Sequence, residues 1–176
     1  MERGILKASL FILSIALIAG CSLVSGPSHP SDEQLIQNFQ KHEAEFNLLA
    51  EMSNQDSQVK RIAPTFTWLQ NNAAWPRPES ELGFSEQRWD EYRRLFKELR
   101  IADGLARNDP KQPTLIFFFA STYGLVNSGS SKGYIYSDED LSPIVNSPEL
   151  EQADMKNTLR VFKRLKGKWY IFYEAN

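Results

Sequence analysis

Two amphipathic segments at helical spacing, followed by a series of strand-like segments, predict an α+β fold: an antiparallel sheet of about four strands covered by two N-terminal amphipathic helices. The helices come from apolar residues spaced by threes and fours after Ser31 and again after Ser85. The strands come from continuous or alternating apolar runs beyond Pro113, separated by Gly- and Ser-rich stretches. Size agrees. A chain of 176 residues, 41% apolar and 24% charged, has the length and composition of one globular domain, placed at 31–176, and no repeat with a period of 20–50 residues is visible.

The first twenty residues stand apart from that domain. Arg3 and Lys7 precede an uncharged run from Ala8 to Gly20, too short for a hydrocarbon core that needs about 20 apolar residues, and the combination has the form of an export signal. The run closes on Ile18-Ala19-Gly20-Cys21: a branched aliphatic residue, two small residues and the one cysteine of the chain. This order resembles the lipobox of bacterial lipoprotein precursors. The resemblance implies cleavage between Gly20 and Cys21, a thioether-linked diacylglyceryl group on the Cys21 sulfur, acylation of the new amine, and labelling with palmitate. Ser22, standing where an aspartate would retain such a precursor, implies the outer membrane in the Gram-negative sorting pattern. A thiolate is the strong nucleophile among side chains, which suits Cys21 as acceptor. Two or three acyl chains on one residue hold far more firmly than the reversible binding of a single chain. Loss of Glu2, Arg3 and Lys7 takes the net charge from -2 to -3. With Cys21 lipidated, the mature chain has no free thiol and no disulfide, so its stability must come from burial. The expected associations are the membrane through the lipid anchor, an envelope protein partner, and a location on the periplasmic side.

Residues 21–30 form the lipidated cysteine and a short Ser/Gly/Pro tether that reaches no more than about 30 Å. Ser31 with Gln34 forms a capping box, and Leu35, Phe39, His42, Phe46 and Leu49 share one face of a helix ending near Ser53. Its other face carries Gln37, Lys41, Glu45 and Asn47. From Asn54 to Gly83 the pattern loosens, with Ile62, Phe66 and Trp68 on alternate positions and Pro76 and Pro78 forbidding helix, so a short strand at most is expected. Ser85 caps a second helix with Trp89, Tyr92, Phe96 and Leu99 on one face and Gly104 as its expected stop. Glu86, Asp90 and Glu91 come early in it and Arg93, Arg94, Lys97 and Arg100 late, which complements the helix dipole. Residues 114–121 read as a central strand and 133–137 as a shorter, alternating one. Segments 158–165 and 168–174 flank Gly167 as a hairpin. A three-residue loop at 165–167 pairs Val161 with Ile171 and Leu159 with Tyr173, and turns Leu159, Val161, Trp169, Ile171 and Tyr173 to the core.

The chemistry that this sequence offers is sparse. One cysteine and two histidines leave almost no nitrogen or sulfur for a metal, so no metal and no cofactor is expected. A pI of about 5.8 gives no electrostatic reason for nucleic acid. Gly129-Ser130-Ser131-Lys132-Gly133 matches the nucleophile-elbow string, but no histidine follows residue 42 and a β-pattern follows the match. It is not a phosphate-binding loop either, because Ser130 rather than Lys follows the second glycine. A glycine-rich hairpin connection is the simpler reading, and what remains is a ligand loop with Ser130, Ser131 and Lys132 beside Tyr134 and Tyr136. Asp138, Glu139 and Asp140 after Ser137 read as a turn or helix start before they read as acid-base groups. Arg93, Lys97 and Arg100 form a basic stripe read as a solvated face, with contact to anionic headgroups as the functional reading. Trp68 and Trp75 are candidates for an exposed groove. His29 lies in the tether, and His42 is expected half-buried on the core side of its helix rather than as a ligand.

The strings Ser130-Ser131-Lys132-Gly133-Tyr134 and Gly167-Lys168-Trp169-Tyr170-Ile171-Phe172-Tyr173-Glu174 also resemble uncharacterised bacterial lipoproteins, a resemblance that implies a shared domain and no activity. The expected function is therefore that of a lipid-anchored envelope domain that binds without catalysing. The alternative is an envelope enzyme using Lys132, Asp138 and Asp140 or a tyrosine, without histidine or cysteine.

Overall fold

The structure, a computed structural model, describes residues 28–69, 72–74, 85–107, 115–125, 128–156 and 158–175. The signal segment, Gly20, Cys21 and most of the tether lie outside these residues, as do Trp75, Pro76 and Pro78. Ser31 caps α1 (Asp32–Lys41) as the sequence requires: the Gln34 N–H donates to Ser31 Oγ at 3.2 Å and the Ser31 N–H donates to Gln34 Oε1 at 2.9 Å. The single helix expected as far as Ser53 is broken at His42 (φ -124°, ψ 28°), and α2 (Glu43–Gln55) begins after it. Phe39 and Phe46 explain the break. Seven residues apart, they would sit about 10 Å apart along a straight helix. Instead their ring centroids are 5.3 Å apart, and both lie against the indole of Trp169 at 5.6 and 5.4 Å.

Ser85 caps α3 (Glu86–Glu98), which buries Trp89, Tyr92, Leu95 and Phe96, with Leu99 just beyond it. The helix ends at Glu98, with Leu99 as its cap and the chain turning at Arg100, rather than near Gly104. The Ile101 N–H donates to the Phe96 carbonyl at 2.8 Å and the Arg100 N–H to that of Lys97 at 3.4 Å, the paired C-terminal bonds that usually close over a left-handed glycine. Here the left-handed residue is Arg100, with φ 55°. Gly104 (φ 73°) serves the next contact, since a Cβ there would lie 2.1 Å from the Ile62 carbonyl oxygen.

Among the described residues the sheet has eight strands, not about four: β1 (Val59–Ile62), β2 (Thr67–Leu69), β3 (Asn72–Ala74), β4 (Leu105–Arg107), β5 (Leu115–Leu125), β6 (Ser128–Ser137), β7 (Arg160–Lys166) and β8 (Trp169–Ala175). Their order is β3-β2-β1-β4-β5-β6-β8-β7, with every pairing antiparallel. The extra strands are β1 to β4, of three or four residues each, too short to display a period of two. One of the three α-helices among the described residues, α3, lies between strands in the chain rather than ahead of them. The glycine-rich segment 129–133, expected as a connection, belongs to β6. Gly133 is needed there, because a Cβ would meet the Phe118 carbonyl oxygen at 2.0 Å.

The terminal hairpin differs in register from the expectation. Lys166 pairs with Trp169 across the two residues Gly167 and Lys168, and Val161 pairs with Tyr173, not Ile171. A bulge between Arg164 and Lys166 adds one residue to β7 and restores the parity that a two-residue turn would otherwise lose. Val161, Trp169 and Ile171 are buried as expected, while Leu159 lies before β7 and is 64% exposed. Edge strand β7 is itself bridged by a short segment: Val145 donates to the Phe162 carbonyl and the Phe162 N–H to that of Pro143.

Helices and sheet enclose a core in which Phe46, Phe118, Tyr134 and Trp169 meet, with ring centroids 4.5–5.4 Å apart. A second cluster, Phe117, Ile135, Phe162, Tyr170 and Phe172, forms on the alternate positions of the same strands. No helix of the described residues is long and apolar enough to cross a membrane.

Candidate functional site

A bulge between Phe119 and Ser121 on β5 brings both Ala120 and Ser121 to the wall of a cavity of about 330 Å³. The start of α1 contributes Gln34, Leu35 and Asn38, the end of α3 contributes Arg100, and Tyr123 and Tyr134 come from β5 and β6. The remaining wall is the tether itself, residues 28–30. Tyr134 lies at the interior end, with its hydroxyl donating to the Leu35 carbonyl at 3.1 Å and accepting from Asn38 Nδ2 at 3.0 Å. Burial raises the pKa of that phenol, so it is neutral at any physiological pH. Asn38 Nδ2 also donates to the Leu99 carbonyl at 2.8 Å, tying α1 to the end of α3.

His29 holds the tether in place. Nδ1 lies 2.6 Å from Ser121 Oγ and Nε2 lies 2.7 Å from Ser130 Oγ, while the ring packs against Tyr123 and Tyr173 at 4.7 and 5.6 Å. The Tyr123 hydroxyl donates to the Ser28 carbonyl at 3.0 Å. Burial lowers the pKa of the imidazole; Glu151 raises it and Lys132 lowers it further, so the neutral ring is favoured. A neutral ring donates from one nitrogen and accepts at the other, which satisfies both serines. No histidine follows Ser130 in the chain, but the tether folds back from ahead of it, and Ser130 gains a partner about a hundred residues away. No carboxylate orients His29 among the described residues, so the contact lacks the acidic third member of a hydrolytic triad.

Lys132 is wholly buried, and its ammonium is held by Asp32 Oδ1 at 2.7 Å, Glu151 at 2.7 Å and Glu149 at 3.2 Å. Asp32 is 1% exposed. Its other oxygen accepts from Lys163, and the Leu150 N–H donates to Oδ1 at 3.3 Å. Burial alone would raise the pKa of Asp32, but the hydrogen bonds from Lys132 and Lys163 outweigh it and leave the carboxyl below its ordinary value. Burial alone would lower Lys132; Asp32 and Glu151 raise it instead. Asp32, Glu149 and Glu151 stand close enough together to suit a cation, and Lys132 Nζ is that cation. Lys132 therefore joins α1 to the 3₁₀ turn Leu150–Gln152 and is not part of a ligand loop.

The other sequence candidates are spread apart. Ser130, Lys132, Tyr134 and Tyr136 alternate with Ser131 along β6, and Tyr136 packs edge-on against Trp169 at 5.2 Å. Ser137 forms a local turn, its Oγ accepting from the Glu139 N–H at 3.1 Å, so the turn reading holds and no helix starts there. Asp138 pairs with Lys168 and Asp140 with Arg164. The basic stripe divides: Arg93 stacks over Trp89 at 4.0 Å and pairs with Asp90, while Arg100 turns to the cavity. Trp68 is 44% exposed beside Phe66; Trp75 lies outside the described residues.

His42, Glu45 and Glu98 bring one nitrogen and two carboxylates within 4.8 Å of one another, a donor set that could hold a metal ion. Sequence reasoning missed it because Glu98 comes from a different helix. Glu98 already accepts from Arg94 at 2.9 Å, and Lys41 and Arg100 line the same depression, so the surroundings disfavour a cation. His29 and Asn38 were likewise passed over as site residues, and Arg100 was read only as one member of a basic stripe. The only sequence signal was that Gln34 and Asn38 lie one turn apart beside a capped helix start. Comparison with protein families, curated proteins and solved structures finds no match.

Proposed function

We propose that this chain is an envelope protein anchored through an acylated Cys21, whose domain binds a small ligand non-catalytically in the cavity beneath its tether. The observation that carries this reading is the use of residues 28–30 as a cavity wall. Ser28 is seven residues from Cys21, which at 3.3–3.6 Å per residue keeps the cavity within about 25 Å of an attached lipid. A ligand drawn from, or delivered to, the membrane surface is then within reach.

The enzyme alternative has less support. Lys132 is held by three carboxylates, and Asp138 lies six residues further along the chain, about 20 Å at strand rise, with a lysine partner of its own. The test has two arms on the full chain. Cys21→Ser is expected to accumulate as uncleaved precursor without palmitate; a labelled, processed variant refutes the anchor. Native mass spectrometry of the detergent-extracted parent is expected to show a bound small molecule that Ala120→Trp, which fills the cavity, lacks. Equal occupancy in both refutes the binding site, and covalent capture of Ser121 or Ser130 by a fluorophosphonate replaces this reading with a hydrolase.

A further inference from the structure

We propose that the cavity beneath the tether is an oxyanion site in which Arg100 pairs with the carboxylate or phosphate of its ligand; this rests on the binding reading above. Arg100 occupies the left-handed position that closes α3, where glycine is the unstrained choice and any residue with a Cβ carries a backbone penalty. Strain of this kind is characteristically kept where a side chain is needed at a ligand. The position contributes nothing to the closing bonds through its side chain, since both are backbone bonds.

Among the described residues the exposed Arg100 side chain has no hydrogen-bonding or ionic partner. Every other described arginine donates to a carboxylate or to a backbone carbonyl, whereas Arg100 has neither among the described residues. It is also the meeting point of three depressions: the tether cavity, a second between α1 and the end of α3, and a third beside Pro64 and Phe96. Among the described residues the wall of the tether cavity carries no carboxylate. The same wall presents neutral groups instead: Gln34, whose Oε1 is used by the Ser31 N–H and whose amide nitrogen faces no described acceptor, and the Ser121 hydroxyl. Leu35, Pro30 and Ala120 supply apolar wall for the rest of a small molecule. A forked guanidinium with neutral donors beside it suits a planar carboxylate or a phosphate, and repels cations. Two sources share this chemistry, a soluble organic anion and an anionic lipid headgroup.

The experiment uses the full chain in neutral detergent, titrated with inorganic phosphate and with acetate by calorimetry, and assayed for flotation with vesicles of phosphatidylglycerol or of phosphatidylcholine. Binding of at least one anion is expected, weakened about ten- to hundredfold in Arg100→Gly. That variant should melt no lower than the parent, because glycine relieves the left-handed strain. Arg100→Asn, which also tolerates that backbone, is the second variant should the first fold poorly. Soluble anion binding without vesicle preference indicates a small-molecule ligand; phosphatidylglycerol-selective flotation lost in Arg100→Gly indicates a headgroup. No anion binding by the parent, or binding by the variants as tight as the parent's, overturns the proposal. If the parent still co-purifies with a neutral molecule that Ala120→Trp lacks, the oxyanion assignment alone falls and the binding reading stands.

Discussion

Replacing Lys132 by Met would test whether its buried ion cluster is a structural joint. The methionine keeps nearly the same length but removes the ammonium that neutralises Asp32, Glu149 and Glu151. Glu149 and Glu151 have side chains 30% and 29% exposed and can turn to water. Asp32 cannot, because its side chain is 2% exposed and, among the described residues, Lys163 is the only other cation on it. Removing one partner of a buried pair costs about 3–5 kcal/mol, and the retained Lys163 puts the expectation at the lower end. Urea unfolding at pH 7, followed by the fluorescence of buried Trp89 and Trp169, measures the loss. The pH dependence supplies a second reading. In the parent the pKa of Asp32 is depressed below 3.8, so its contribution is present above that value and is lost as pH falls through the folded-state pKa. Without Lys132 the carboxyl protonates more readily, so the gap between variant and parent should narrow towards pH 4. Asp32→Asn added to Lys132→Met removes both charges, keeps an acceptor for the Leu150 N–H, and should recover part of the loss. A cost under about 1 kcal/mol at pH 7, or a gap indifferent to pH, would refute the reasoning.

Three further outcomes are expected. Gly133→Ala should destabilise by about 1–3 kcal/mol or more through overpacking against the Phe118 carbonyl, read as a lowered urea midpoint, and an unchanged midpoint would mean the strands can move apart there. His29 favours its neutral form in the fold, with a pKa below the 6.5 of the unfolded chain. Stability from this group is therefore present above pH 6.5 and falls as pH drops from there to the folded-state pKa, and His29→Gln should flatten that part of the profile. Trp169→Ala removes the indole on which Phe39, Phe46 and Phe118 converge and should cost about 3–5 kcal/mol; a loss below 1 would show that the aromatic cluster closes around the gap.

Local signals proved legible where a residue acts on its own neighbours. Ser31 with Gln34, Ser85 before Arg88, and the buried stripe Trp89, Tyr92, Phe96 and Leu99 all follow from capping and a period of 3.6. The β-character of 115–125 and 160–175 followed from apolar runs and Gly167. Of strands β1 to β4 only one short strand was expected, around Ile62 and Trp68, because segments of three or four residues barely display an alternation and their stability comes from neighbouring strands. The bulge at Leu165 was hidden for a related reason: parity alone admits two solutions, a three-residue loop or a two-residue turn with one extra residue in the strand.

The candidate site lies almost wholly on the other side of that divide. Lys132 looked like a loop lysine because its neighbours are glycines and serines, yet its partners Asp32, Glu149 and Glu151 come from two other parts of the chain. His29 looked like a tether residue, and only the folded-back chain brings Ser121 and Ser130 to its two nitrogens. Arg100 looked like one charge in a helical stripe until the helix closed on it and put it on the cavity wall. Periodicity, caps and composition act over a few residues and so are written in the order of the amino acids. Ion pairing in a dry interior and the walls of a cavity depend on which distant side chains packing leaves in contact, and that is settled only when the sheet and helices meet.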